Sequence, residues 1–378
     1  MKGLKKLVSL ILVLTVIAAL AVGCTTETVD PGGEEGVDEE RSITITDMSG
    51  DTVTIEGEVK RIVNLWPAGT ASFFVMGAGD MIVGLAVSSP ATMSSWTGLF
   101  YPDAVNIPDL GGITPSIEEL IKLDPDLVII HPSSARDGFA QQIREVGIPA
   151  INIFFDNYES MAKAYTILGE VLGGEYQEKL ATWCAAVETK QAKVRSLTAD
   201  IAEEDRPVTY YIAGQGDSLT TTMAADSIFS DWTESAGGIY AARLMELTES
   251  EVTPEAVFDL NPDVIICGGV YQHVLKNDLE STDGWKELKA VKNDRVYTNP
   301  YACFNWERFG LESQLQINYA LMCIQPEIAE ANGIDRDSMI DEVIDFYKTY
   351  TDYELTRTQA EYMLDGLRPD GTAEFPVQ

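Results

Sequence analysis

The sequence is poor in the residues from which most active sites and metal centres are built. Histidine occurs only at positions 131 and 273 of 378. That leaves little material for a histidine relay or a multi-histidine zinc or manganese site, and no metal site of the protein's own is assigned. There is no G-x-x-x-x-G-K-[ST] loop, H-E-x-x-H pair or G-x-S-x-G elbow, so the common signatures of P-loop, zinc-peptidase and serine-hydrolase chemistry are missing. Beyond Cys24 the cysteines are Cys184, Cys267, Cys303 and Cys323, with no C-x-x-C pair. Spacing alone assigns no disulfide among them. Positive charge is also scarce: Lys and Arg number 26 against 60 Asp and Glu, a formal net charge of −34. Such a surface disfavours nucleic acid and anionic membrane as partners.

The N-terminus carries Lys2, Lys5 and Lys6, an apolar run over 7–22, and Ala21-Val22-Gly23-Cys24. The run is short for a membrane span and has the flanks of a signal peptide. Cys24 after small residues resembles a bacterial lipobox. The resemblance implies cleavage before Cys24 and its lipidation, which anchors a chain to a membrane without spanning it. Residues 1–23 are therefore expected to be a signal peptide, and 24–40 the lipidated Cys and a flexible acidic tether. Val29 and Val37 are the only sizeable apolar residues after Cys24 in that tether, too few to offset the entropy of ordering it. It would reach roughly 20–25 Å. Losing the three signal lysines takes the formal charge from −34 to −37.

The remaining chain, about 340 residues, suits two domains, and one stretch of it occurs twice. Residues 116–130 read SIEELIKLDPDLVII and residues 253–267 read TPEAVFDLNPDVIIC, aligned without a gap. Each copy predicts a capped helix, a Pro-punctuated turn and a buried parallel strand. Residues 42–56 alternate as a β-hairpin, and strands are expected over 60–66, 81–86, 150–154, 208–212 and 295–298. Between the two copies, 158–203 contains no proline and reads as helix broken near Gly173-Gly174. Its second part, from Glu175 to about Glu203, would span roughly 40 Å. The expected fold class is α/β: two similar lobes, each a mainly parallel sheet flanked by helices, joined by one long connecting helix. The lobes are expected over 41–157 and 205–378, with a lobe-packing helix and the connector over 158–204. Helices are also expected near 309–323, 337–349 and 356–366, with Asp337 as an N-cap.

Open parallel sheets bind ligands just past the carboxyl ends of their strands. Lobe one offers Trp66, Trp96, His131 and Arg136 there. Lobe two offers Tyr211, Gln215, Thr221, Tyr271, His273, Tyr301, Trp306 and Arg308. Aromatics suit a flat macrocycle or chelate shell, and arginine suits carboxylates or an anionic ferric complex. His131 reads equally as a metal or haem-iron ligand and as a hydrogen-bonding loop residue.

The lipobox, the polar tether, Lys60-Arg-Ile-Val-Asn64 after the hairpin, the doubled Pro-Asp segment and the Phe304-Asn-Trp-Glu-Arg308 stretch occur together here. Together they resemble the substrate-binding lipoproteins of ABC importers for ferric siderophores, cobalamin and haem. The resemblance implies a ligand clamped between two lobes joined by one stiff helix, and delivery to ABC permease subunits. It implies a monomer anchored outside the cytoplasm, with a metal chelate as cargo and no intrinsic cofactor. It also implies that one exposed acid per lobe meets a permease arginine; the matching positions are Glu118 and Glu255. These helix starts are expected at the end of each unit opposite the cleft. The other readings are a binding protein for a metal ion or small metal–chelator complex such as nickel, and an extracytoplasmic enzyme on the same scaffold.

Overall fold

The computed structural model describes residues 41–86, 94–131, 138–214, 216–351, 353–375 and 377. The signal peptide, the tether with Cys24, and Arg136 and Gln215 lie outside these residues.

A two-stranded antiparallel hairpin, β1 (Ser42–Thr46) and β2 (Thr52–Glu56), opens the described chain. Asp47 closes its turn by accepting from the amides of Ser49 and Asp51 at 2.9 and 3.0 Å. Two four-stranded sheets follow, and within each every pairing is parallel. The first contains β3 (Ile62–Asn64), β4 (Ile82–Leu85), β5 (Leu127–Ile130) and β6 (Ala150–Asn152), in the order β4-β3-β5-β6. The second contains β7 (Val208–Ile212), β8 (Ile239–Tyr240), β9 (Val264–Cys267) and β10 (Val296–Thr298), in the order β8-β7-β9-β10. Counted within its own lobe, each sheet has the strand order 2-1-3-4.

The doubled stretch supplies the third strand of both sheets. Its two helices are Ile117–Leu123 and Pro254–Leu260, with N-caps Ser116 and Thr253. Both helices end on a residue in the left-handed region, Asp124 at φ 46° and Asn261 at φ 46°. The Asp after each proline then pins the neighbouring strand. Asp126 Oδ2 accepts from the amides of Lys60 and Arg61 at 2.7 and 2.8 Å, and Asp263 Oδ2 from the amide of Val208 at 2.9 Å. A helix linking parallel strands must run back antiparallel to them. The two helix starts therefore lie at the carboxyl edge of each sheet, on the side where the strands end. This corrects the expectation that Glu118 and Glu255 sit at the opposite end from the cleft.

Alternating side chains of each central strand enter different cores, as the period of two requires. Leu127, Ile129, Val264 and Ile266 join one core shared by both lobes. Val128 and Ile130 pack on the outer face of the first sheet, and Ile265 and Cys267 on that of the second. The shared core includes the helix Tyr158–Leu172 and the connector Gly174–Thr198. Gly173 and Gly174, at φ 70° and 52°, make the break between them. Trp183 of the connector donates to Leu311 O at 2.7 Å, and Tyr158 Oη to Ser313 O at 2.8 Å.

The connector ends at Thr198, short of Glu203. Thr198 Oγ1 bonds Ser235 O at 2.9 Å, which fixes the last turn against lobe two. Across the second sheet, helices Pro326–Ala331 and Gln272–Ser281 were not expected from the sequence pattern. The cap of helix Arg336–Tyr350 is Asp335, which accepts from Ser338 N, while Asp337 pairs with Arg357.

Candidate ligand-binding cleft

The carboxyl ends of β3 and β6 lead into aromatic residues. Asn64, fully buried, holds the turn after β3: its carboxamide bonds the backbone of Trp66 at 3.1 and 3.0 Å and Thr70 Oγ1 at 2.9 Å. Trp66 thereby sits at the start of helix Pro67–Val75 and packs on Phe155, with centroids 4.4 Å apart. Phe309 of lobe two meets both rings, at 6.2 Å from Trp66 and 5.3 Å from Phe155. The lobes thus touch through three aromatic rings, of which Phe309 remains partly exposed.

Lobe two arranges charge at the matching place. The loops after β7 and β9 run so close that a Cβ on Gly214 would lie 1.7 Å from Gly268 O. Only glycine fits such an approach. Against them Glu307, fully buried, accepts from Tyr211 Oη and Gly269 N, each at 2.9 Å, and from Asn299 Nδ2 at 2.7 Å. Burial pushes the Glu307 carboxyl above its ordinary pKa and holds the Tyr211 phenol well above its own, with the Glu307 charge adding to the latter. Arg308 stands beside Glu307, Nε to Oε1 3.6 Å, and donates from Nη2 to Ala213 O at 2.6 Å. Its guanidinium lies 5.8 Å from the Phe229 ring and keeps some exposure. A guanidinium held in this way keeps donors for an anion.

Glu312 secures the loop that carries these groups. It accepts from Cys303 N and Phe304 N at 3.0 and 2.8 Å and from Tyr347 Oη. Burial raises its carboxyl to about 7.

The other sequence-predicted residues divide by burial. Tyr211 and Trp306 are fully buried, and Trp306 Nε1 has no hydrogen-bond partner among the described residues. Trp96 is buried too, donating to Leu367 O at 2.8 Å. Its helix, Ser95–Phe100, ties lobe one to the C-terminal helices: Phe100 stacks on Tyr347 at 4.9 Å. Tyr301 is buried with its amide on Met363 O. His131 is half-buried, and burial lowers its pKa, leaving the ring neutral at pH 7. Thr221 accepts from Ala213 N through its carbonyl at 2.8 Å. Tyr271 stacks on Phe375, and His273 Nε2 lies 3.2 Å from Gly366 O. Glu118 and Glu255 are exposed, two residues after their N-caps.

Sequence reasoning missed Phe155, Phe309 and Glu307. Phe155 obeys the same strand-end rule as Trp66, standing three residues past β6. Nothing in a single sequence marks Glu307 as a buried acid. A separate cavity of about 450 Å³ lies by the connector, lined by Glu159, Arg195, Asp231, Glu234 and Arg243 among others. Its arginines are paired, Arg195 with Asp231 and Arg243 with Glu234. Among the described residues no group of three metal-ligating side chains occurs, and no helix is long and apolar enough to cross a membrane.

Comparison with known proteins agrees with this architecture. The family model for periplasmic binding proteins matches residues 62–302. The chain is 28% identical over 263 residues to an uncharacterised ABC transporter substrate-binding lipoprotein, YvrC, of Bacillus subtilis, covering 68% of this chain and 77% of that one. It is 26% identical over 238 residues to a cobalamin-binding protein of Halobacterium salinarum, covering 60% of this chain but only 58% of that relative. A periplasmic solute-binding protein from Veillonella parvula superposes with a TM-score of 0.71 at 24% identity, over 86% of this chain and 97% of the other. That likeness concerns the fold.

Proposed function

The chain belongs to the periplasmic binding protein family, and from that membership we propose that it captures a metal chelate of the corrinoid, haem or ferric-siderophore kind between its lobes and hands it to an ABC permease. The observation that carries this reading is the packing of Trp66 and Phe155 of lobe one on Phe309 of lobe two, beside Arg308, which Ala213 O and Glu307 hold in place. Rings suit the flat face of a macrocycle or the shell of a chelate. A partly exposed guanidinium, already oriented by Glu307 and Ala213 O, suits an anionic edge. The cobalamin-binding relative supports the corrinoid member of this set.

Delivery rests on Glu118 and Glu255. Each is exposed in the first turn of its helix, where a carboxylate also stabilises the helix by about 0.3–1 kcal/mol. Both lie on the carboxyl edge, so a permease arginine that meets them would face the cleft mouth. Lipidation of Cys24 would keep the folded part beside the membrane that holds the permease.

The direct test is native mass spectrometry with an absorption spectrum on protein purified without denaturation. A bound corrin, a Soret band or a ferric charge-transfer band is expected. A ligand-free protein that binds none of cyanocobalamin, haemin or a ferric catecholate on addition overturns the reading. For delivery, a Glu118→Ala/Glu255→Ala double variant should retain ligand affinity and lose uptake; unchanged uptake removes the docking role.

A further inference from the structure

The chain does not stop when its last helix, Arg357–Leu364, is packed. Residues 365–375 run on across the carboxyl edge of the second sheet. Gly366, at φ 67°, begins this segment, and a Cβ there would lie 2.6 Å from Gln272 Nε2 and 2.8 Å from Asn299 O. Gly366 O accepts from Gln272 Nε2 at 3.0 Å, and Leu367 O from the buried Trp96 indole at 2.8 Å. A turn follows: Arg368 N bonds Thr372 O at 2.8 Å, and Asp370 Oδ1 accepts from Thr372 N at 3.0 Å. The turn delivers Phe375 onto Tyr271, with centroids 4.1 Å apart and planes 7° from parallel.

Tyr271 caps the start of helix Gln272–Ser281, directly after β9. It stands past the carboxyl end of β9 and also touches the core on the outer face of that sheet. Phe375 is 39% exposed even while stacked, so leaving Tyr271 requires little unpacking. The rest of the strap is tied by hydrogen bonds that do not depend on Phe375. One end is fixed and the aromatic tip is held mainly by a ring face.

We propose that Phe375 is a built-in occupant of a stacking subsite on Tyr271, displaced when a flat conjugated ligand enters. The inference rests on the ligand reading above and deepens it. The face of Tyr271 is the subsite, a planar π-system is its ligand class, and the chain's own phenyl ring holds the place in the empty protein. Ligand must then compete with an intramolecular stack. An aromatic pair contributes enough that its loss should tighten binding about 2- to 12-fold.

The test is titration of tryptophan fluorescence with cyanocobalamin and with haemin. It compares the full chain, Phe375→Leu, Phe375→Trp and a chain ending at Gly371. Phe375→Leu and the shortened chain should bind at least one probe about 2- to 12-fold tighter than the full chain, and Phe375→Trp more weakly. Unfolding midpoints of the two point variants should match the full chain, since the side chain lies at the surface. Equal dissociation constants in all four proteins, or weaker binding by Phe375→Leu, overturn the subsite while leaving the capture reading intact. No binding of either probe by any of the four overturns the subsite and the macrocycle reading together.

Discussion

The two sheets have the same strand order and receive the same repeat, yet they end differently. Strand pairing puts the lobes in register: Ile62 pairs with Leu127 as Thr209 pairs with Val264. Asn64 then corresponds to Tyr211, Trp66 to Ala213 and His131 to Gly268. At these places lobe one has side chains that bind a turn or stack on a neighbour. Lobe two has Tyr211, Ala213 and Gly268 there, and Gly268 with the neighbouring Gly214 lets two loops touch backbone to backbone. The loop Tyr301–Phe309 brings Glu307 and Arg308 against them, through Gly269 N and Ala213 O, and carries Phe309 to lobe one. A common frame thus ends in packed aromatic rings in one lobe and in a Glu307–Arg308 ion pair in the other. The repeat sets the frame, and the first few residues after each strand set the chemistry.

The largest expected effect breaks the glycine crevice of lobe two. Gly214→Ala would bring a Cβ to 1.7 Å from Gly268 O at a positive φ of 60°. A loss of about 4 kcal/mol is expected in chemical denaturation. A loss below about 1 kcal/mol would mean that the loops part easily and that the crevice is not built in.

The next effect is a pH dependence carried by lobe two. Glu312 titrates near 7 in the folded protein against an ordinary 4.5. The folded state therefore holds this proton more tightly than the unfolded one. Its contribution is fully present below about 4.5, falls as the pH rises towards 7 and is flat above that. The size is about 3 kcal/mol. Stability measured from pH 5 to 8 should fall less steeply in Glu312→Gln, which cannot titrate and whose one side-chain oxygen keeps an acceptor for one of the two amides, Cys303 N or Phe304 N. Identical slopes would contradict the burial of a titrating carboxyl there.

A smaller contrast sits inside the repeat itself. Ile121 and Phe258 occupy the same position of the two copies, but Ile121 is 51% exposed while Phe258 packs edge-on against Trp285 at 5.1 Å. Phe258→Ala should cost about 2 kcal/mol and Ile121→Ala less than about 0.5 kcal/mol. Equal costs would show that lobe one covers its copy as well.

Much of this was legible in the residues. The duplicated Leu-Asp/Asn-Pro-Asp run specifies a capped helix, a Pro-punctuated turn and a buried parallel strand. Both copies do this, because each step follows from local chemistry. The family resemblance carried by the lipobox, the repeat and the Phe304–Arg308 stretch also agreed with the family match. Boundaries drifted where a long-range bond decided them: Thr198 stops the connector by reaching Ser235 O. The short strand β8 and the helix Pro326–Ala331 carried too little periodicity to register. At the strand ends the pattern identified positions better than surroundings. Trp66, Trp96 and Trp306 are all buried, but Trp66 packs on Phe309 of the other lobe while Trp96 bonds Leu367 O and Trp306 Nε1 has no partner among the described residues. An isolated tryptophan in a sequence carries no signal that separates these cases. Glu307 was hidden for the same reason, since its three hydrogen-bond donors come from Tyr211, Gly269 and Asn299, which are distant from it or unremarkable in sequence.

The central claim is that one ligand is held by both lobes at once. Isothermal titration of the tightest-binding chelate into the wild-type protein, Trp66→Ala, Arg308→Ala and the double variant tests it most directly. Each single change should weaken binding at least about tenfold, and the double change should differ from their sum, because both side chains act on one bound molecule. Affinity that depends on Trp66 alone or on Arg308 alone would place the ligand on a single lobe and contradict the account.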